Sequence, residues 1–154
     1  MPAGLRLATR VPHELLRQVG ASPATAGLTY LRLGQTPLPL LHHLMPLSCL
    51  QRLHMHVASA ILTPLSHLTA LTYLHLHGAF EDLAQGVAPL RLLRKLCLSR
   101  VRRVRNEDLH AIGRLTALTA LELPAARTVA MPTDISPLSS LRVRASPAAR
   151  TAVV

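Results

Sequence analysis

Aromatic rings are nearly missing from this chain. Among its 154 residues there is no Trp, one Phe and two Tyr, so aromatics make up 2%. A core this poor in rings has to be aliphatic, and many small repeated packing layers suit that better than one large centre. Cysteine is equally sparse. Cys49 and Cys97 stand in no paired spacing, which excludes both a disulfide framework and a CxxC zinc motif. Reduced thiols fit a cytoplasmic protein, with nuclear or cytoskeleton-associated settings as alternatives. Only seven acidic residues occur, scattered along the chain. No two acids pair on one element, and G-x-S-x-G, HExxH and a phosphate-cradling glycine loop are all missing, so nothing in the sequence reads as catalysis or calls for a cofactor. No window reaches the roughly 18 apolar residues of a membrane helix, and the N-terminus carries no apolar run of secretory type. Arg6 and Arg10 precede the first acid, Glu14, so a transit peptide stays open.

What the chain does contain is leucine at a fixed beat. Hydrophobic residues make up 49% of it, ample for a core and far from a disordered composition. The phrase "LTALTYLHLHG" at 68–78 returns as "LTALTALELPA" at 115–125. Both belong to a pattern L-x-x-L-x-L, which fits 28–33, 50–55, 71–76, 93–98 and 118–123, with starts stepping by 22, 21, 22 and 25 residues. Two further apolar beats, three residues apart, precede four of these units: Leu44 and Leu47, Leu65 and Leu68, Val87 and Leu90, Ile112 and Leu115. A worn sixth copy, "MPTDISPLSSLRV", allows two registers. One continues Ile135, Leu138, Leu141 until Arg144 falls where a Leu belongs; the other puts Leu138, Leu141 and Val143 on the strand.

In L-x-L the period is two, so a short strand buries its leucines on one face and shows the letters between them on the other. The three-residue beats suit a 3₁₀ or irregular return. The segments 81–96 and 106–115 read as short helices, the second with Asn106 as N-cap and Glu107 and Asp108 in its first turn. One unit cannot bury its own leucine face, whereas stacked neighbours can.

Over residues 28–141 this pattern resembles the leucine-rich-repeat family, whose unit runs L-x-x-L-x-L-x-x-N/C-x-L over 20–29 residues. The resemblance implies an α/β right-handed solenoid, a horseshoe with a parallel β-sheet on its concave side and short helical, 3₁₀ or irregular convex segments. It also implies a non-catalytic protein-interaction scaffold. The chain departs from the family at the Asn/Cys position, where Thr36, Ala58, Ala79, Val101 and Ala126 stand. The amides those side chains would serve then need other partners. The chain divides into an N-terminal cap or divergent repeat (1–27), a solenoid (28–143) and a frayed tail (144–154). "LRL" at 5–7 reads as the remnant of an earlier strand and 11–19 as an amphipathic helix. No Cys-rich cap protects either end, so the array could form part of a longer one.

If the strands stack in register, the exposed letters form columns. One reads Tyr30, Arg52, Tyr73, Lys95, Ala120; the next Arg32, His54, His75, Cys97, Glu122; the third Gly34, His56, His77, Ser99, Pro124. Three features stand out. His54, His56, His75 and His77 make a quadrilateral of imidazoles beside Cys97, donors of the kind zinc, copper or nickel take, but with no carboxylate in the grid near enough to orient the rings. As a solvated surface, the same cluster predicts a response between about pH 7 and 5.5. Arg52 lies between the chain's two tyrosines, a cation flanked by rings. The loop after the fourth strand carries Arg100, Arg102, Arg103 and Arg105, partly balanced by Glu107 and Asp108.

The net charge is +10, from 17 basic residues of which Lys95 is the single Lys. The concave residues Tyr30, Arg32, Arg52, His54, His56, Tyr73, His75, His77 and Lys95 therefore point to a protein partner of acidic character. A basic surface for nucleic acid or another polyanion is the second reading, and a metal-binding His cluster the third.

Overall fold

The computed structural model describes residues 3–6, 17–18, 21–22, 25, 27–36, 38–57, 61–101, 104–123 and 142–145. Seven strands make one sheet: β1 (Ala3–Arg6), β2 (Leu28–Thr36), β3 (Arg52–Val57), β4 (Tyr73–Gly78), β5 (Lys95–Ser99), β6 (Ala120–Leu123) and β7 (Arg142–Ala145). Their spatial order is their order in sequence, and each neighbouring pair runs parallel. Parallel neighbours require a return segment between every pair. The described returns hold two 3₁₀ segments (Leu38–Leu44 and Thr63–His67) and two short helices, α1 (Leu83–Val87) and α2 (Asn106–Gly113).

The leucine beat is the core. The first strand leucines Leu31, Leu53, Leu74, Leu96 and Leu121 are completely buried. The second beats Leu33, Met55, Leu76, Leu98 and Leu123 and the entry leucines Leu28, Leu50, Leu71, Leu93 and Leu118 are buried with them. So are all eight of the preceding apolar beats from Leu44 to Leu115, and together they form one contiguous cluster.

Backbone bonding explains why those beats fall three apart. Leu47 N–H donates to Leu44 O and Leu50 to Leu47; Leu68 to Leu65 and Leu71 to Leu68; Leu90 to Val87 and Leu93 to Leu90; Leu115 to Ile112 and Leu118 to Leu115, all at 2.9–3.0 Å. These four repeats each enter their strand through two successive i→i−3 turns of the 3₁₀ type. A side chain every third residue then eclipses the last, so one apolar ridge faces the strand leucines.

Where the family has an asparagine, this chain packs Val101 in the core and places its cross-repeat bonds at the strand entry instead. Gln51 N–H donates to Thr29 O (2.9 Å), Thr72 and Tyr73 N–H to Gln51 O (2.8 and 3.0 Å), Arg94 and Lys95 N–H to Thr72 O (2.8 and 3.1 Å), and Thr119 and Ala120 N–H to Arg94 O (2.8 and 3.1 Å). The hydroxyls of Thr72 and Thr119 donate to the same carbonyls, of Gln51 and Arg94, at 3.1 Å. This backbone ladder ties the consecutive described coils to one another.

Several expectations shift. The helix expected across 81–96 covers only Leu83–Val87, because the two turns ending at Leu93 must precede the strand that starts at Lys95. The N-cap of α2 is Arg105 in extended conformation, with Asn106 already helical. The last strand takes neither register read from the leucines. Val143 pairs with Leu121 and Arg144 with Glu122, so pairing to the preceding strand sets the register rather than the Leu138 and Leu141 beats. β7 thus runs through Arg144 and Ala145, inside the segment read as tail, while β1 realises the early strand two residues ahead of 5–7. Of the helix expected at 11–19, Arg17 and Gln18 are described, and both are helical. Ala58, Ala126, Ile135, Leu138 and Leu141 lie outside the described residues.

Candidate functional site: the polar face of the sheet

The side chains between the leucines of β2 to β6 form the face opposite the core, the one the repeat pattern makes concave. Register confirms the columns. Tyr30, Arg52, Tyr73, Lys95 and Ala120 pair in succession, as do Arg32, His54, His75, Cys97 and Glu122. Arg142 and Arg144 continue these two columns by register in β7. The third column differs at its start. A register shift between Arg32 and Gln35 puts Gln35, not Gly34, beside His56, followed by His77 and Ser99. At the end of β4, Gly78 has φ +113° and opposes Val57. A Cβ there would run into the Val57 carbonyl oxygen, so only glycine serves.

The four histidines come together. His54 and His75 have ring centroids 5.4 Å apart in an edge arrangement, and those of His56 and His77 lie 3.9 Å apart with the rings tilted by 34°. The rings are oriented by a hydroxyl that the sequence placed in a column without giving it a role. Ser99 Oγ is 3.0 Å from His75 Nε2 and 2.9 Å from His77 Nδ1, with Leu76 O at 3.4 Å. A serine two residues after a concave Cys is the only signal that could have marked it. Among the described residues no three His, Cys, Asp or Glu side chains are arranged to hold a metal ion.

His54 also displaces Arg52 as the ring-flanked group. It meets Tyr30 edge-on at 5.8 Å and Tyr73 at 4.8 Å, so the tyrosines converge on an imidazole one step along the strand. Arg32 and Arg52 are exposed. Lys95 is not a simple free cation: its Nζ is 2.6 Å from Glu122 Oε1 and 5.8 Å from the centre of the Tyr73 ring. Glu122, which the sequence left unassigned, is the carboxylate of this face among the described residues, and Lys95 holds its carboxyl below the ordinary range.

Cys97 belongs to the central column yet is buried. Its thiol donates to Tyr73 Oη at 3.7 Å. Burial pushes the thiol up to about 11 and raises the Tyr73 hydroxyl as well. A thiol that stays protonated is a poor metal ligand and a poor nucleophile. His75 and His77 are both held below the usual imidazole value. Burial is the main cause for each. Arg32 and Lys95 add to it at His75 against the pull of Glu122, and His56, Arg100 and His75 add to it at His77. Arg100, exposed and in left-handed conformation (φ 53°) just after β5, therefore acts electrostatically on the imidazole grid. Arg105 is exposed beside the start of α2, and Arg102 and Arg103 lie outside the described residues. No helix among the described residues is long and apolar enough to cross a membrane.

No protein-family model matches the chain, and no curated protein sequence matches it. Solved structures do match its fold. An internalin C2 from Listeria monocytogenes superposes with a TM-score of 0.60 at 21% identity, over 84% of this chain and 55% of that one. An internalin (inlF) from the same organism gives 0.54 at 21% identity, over 93% and 46%. A leucine-rich-repeat protein of Leptospira interrogans gives 0.53 at 17% identity, over 90% and 40%. The chain thus spans about half the length of these solved chains or somewhat less.

Proposed function

We propose that this chain, a leucine-rich-repeat solenoid by fold, is a non-catalytic recognition module that takes an acidic protein segment on the polar face of its sheet. One observation carries the reading. Arg32, Arg52 and the four histidines adjoin one another on that face, while its described carboxylate, Glu122, is already paired with Lys95. An incoming carboxylate meets cations and N–H donors with little competition from the protein's own acids. Tyr30, Tyr73 and His54 add the flat, amphipathic surface that interfaces favour. The residues assigned to the partner are Tyr30, Arg32, Arg52, His54, His56, Tyr73, His75 and His77, with Arg100 at the rim. Lys95 instead anchors Glu122.

The test is binding of fluorescein-labelled hexaglutamate, followed by anisotropy at low salt. The parent should bind, and the Arg32→Glu/Arg52→Glu double variant should lose at least about tenfold in affinity, roughly 1.4 kcal/mol, with its circular dichroism unchanged. Unchanged affinity would move the site off this face. Equal or tighter binding of single-stranded DNA with a steep salt dependence would replace the reading with a polyanion surface.

A further inference from the structure

Ser99 has one hydroxyl proton and faces two imidazole nitrogens at hydrogen-bond distance, His75 Nε2 at 3.0 Å and His77 Nδ1 at 2.9 Å. With both rings neutral, the three groups hold three exchangeable protons, one on each ring and one on the hydroxyl. Both hydrogen bonds need a proton between the atoms they join. If the hydroxyl donates to His77, then His75 Nε2–H donates to Ser99, and the third proton sits on His77 Nε2. If it donates to His75, then His77 Nδ1–H donates to Ser99, and the third proton sits on His75 Nδ1. When the hydroxyl donates to either ring, the two remaining nitrogens, His75 Nδ1 and His77 Nε2, present one donor and one acceptor. The third arrangement, in which both rings donate to Ser99 and its hydroxyl to Leu76 O, uses the longest of the three contacts, 3.4 Å against 3.0 and 2.9 Å, and is the weaker. Both rings are part-exposed, and among the described residues no side-chain nitrogen or oxygen is buried without a hydrogen-bond partner, so neither outer nitrogen is shut away unsatisfied.

A single added proton changes what the unit offers. One ring then carries both its protons while the other bonds remain intact, and both outer nitrogens become N–H donors. A second proton makes both rings donate to Ser99, whose hydroxyl must turn to the longer contact with Leu76 O at 3.4 Å. It also places two cations across one oxygen. The first proton therefore enters well before the second, and it belongs to the pair rather than to either ring.

We propose that His75, Ser99 and His77 form a one-proton recognition site that, on taking up that proton, offers two N–H donors to the carboxylates of an acidic partner. The proposal rests on the acidic-partner reading above and adds its regulation. The neutral unit, with one donor and one acceptor, matches an amide or hydroxyl; the charged unit matches carboxylate. The titratable and charged groups around the pair are Arg32 on β2, Arg52, His54 and His56 on β3, Tyr73 on β4 itself, Lys95 and Cys97 on β5 with Arg100 just beyond, and Glu122 on β6. Arg32 and Lys95 oppose a charge on His75, and His56 and Arg100 oppose one on His77. Of these only Glu122 favours the charged form of His75, and Lys95 holds it.

The experiment is a nitrogen-15 NMR titration of the imidazole rings in the full chain, in sodium chloride and in sodium formate at equal ionic strength. Formate is the carboxylate probe and stays ionised through the titration. In chloride, His75 and His77 should share their first protonation step. About 0.2 M formate should raise that step by about 0.5 pH unit, a threefold gain in proton affinity. Ser99→Ala should separate the two titrations and remove the formate effect, and Ser99→Thr, which keeps the hydroxyl, should restore it. Identical titrations in formate and chloride would overturn the site, as would a formate effect undiminished in Ser99→Ala. Hexaglutamate binding retained with no formate effect would sink this site alone. A formate effect without hexaglutamate binding would sink the acidic-partner reading and leave the site standing.

Discussion

Asp108 is the one described acid that the fold buries, and it is fully used. Oδ2 accepts from Arg105 N–H at 2.8 Å and Oδ1 from Ala84 N–H at 3.0 Å. The first bond closes the N-terminus of its own helix, α2. The second reaches back to the first turn of α1, so one carboxylate serves two consecutive repeats. Asp108→Ala would leave two N–H groups without this partner, and about 1–3 kcal/mol of stability should be lost in a urea titration. The imidazoles make a second prediction at this scale. His75 and His77 titrate below their ordinary value when folded, so the unfolded chain takes up protons first. Stability from keeping the rings neutral is present in full above about pH 6.5 and declines as pH falls from there toward the lower folded values. The melting temperature should drop as pH falls below about 6.5, and the drop should shrink in a His75→Gln/His77→Gln variant. An equal drop in both would assign the effect to other groups. Clustering alone predicts a response between about pH 7 and 5.5; burial, which the order of residues does not show, lowers the folded values and extends the response downward.

At the scale of elements, the return segments are held by contacts that tolerate no added atom. Gly86, in α1, is buried, and a Cβ there would sit 2.7 Å from both Leu62 Cβ and Leu62 O of the preceding repeat. Gly86→Ala should destabilise by about 1–3 kcal/mol through overpacking, although alanine is the better helix former by about 1 kcal/mol. A neutral Gly86→Ala would mean the coils can part without loss. The strands and the buried beats were legible because period two and period three are written in leucine. The columns Tyr30–Arg52–Tyr73 and His54–His75–Cys97 followed from them. Four things were not legible. The shift that inserts Gln35, the last register, the extent of α1 and the depth of Cys97 all depend on how a neighbour's backbone lies. Ser99 was missed for a related reason: a lone hydroxyl has no pattern until two rings are seen to converge on it.

For the whole molecule, the contiguous aliphatic cluster means that repeats share one interior. Leu74, wholly buried in the central strand, is packed from both sides. Leu74→Ala should lower stability by about 2–5 kcal/mol and should do so in a single transition seen alike by circular dichroism and tyrosine fluorescence. Two separated transitions would show that the halves unfold independently. The +10 charge enters here too. Most of it is arginine, and the polar face collects Arg32 and Arg52 beside the imidazoles, so association with an acidic segment should slow as salt is raised.

The ladder accepts through the main-chain carbonyls of Thr29, Gln51, Thr72 and Arg94, so it imposes little demand on side-chain identity. A duplicated unit of 21 or 22 residues spliced in at a strand entry would find its joints ready-made on either side. Arrays of this kind can therefore lengthen by simple gene duplication, and an engineer could extend the reading surface by whole strands without redesigning the seams.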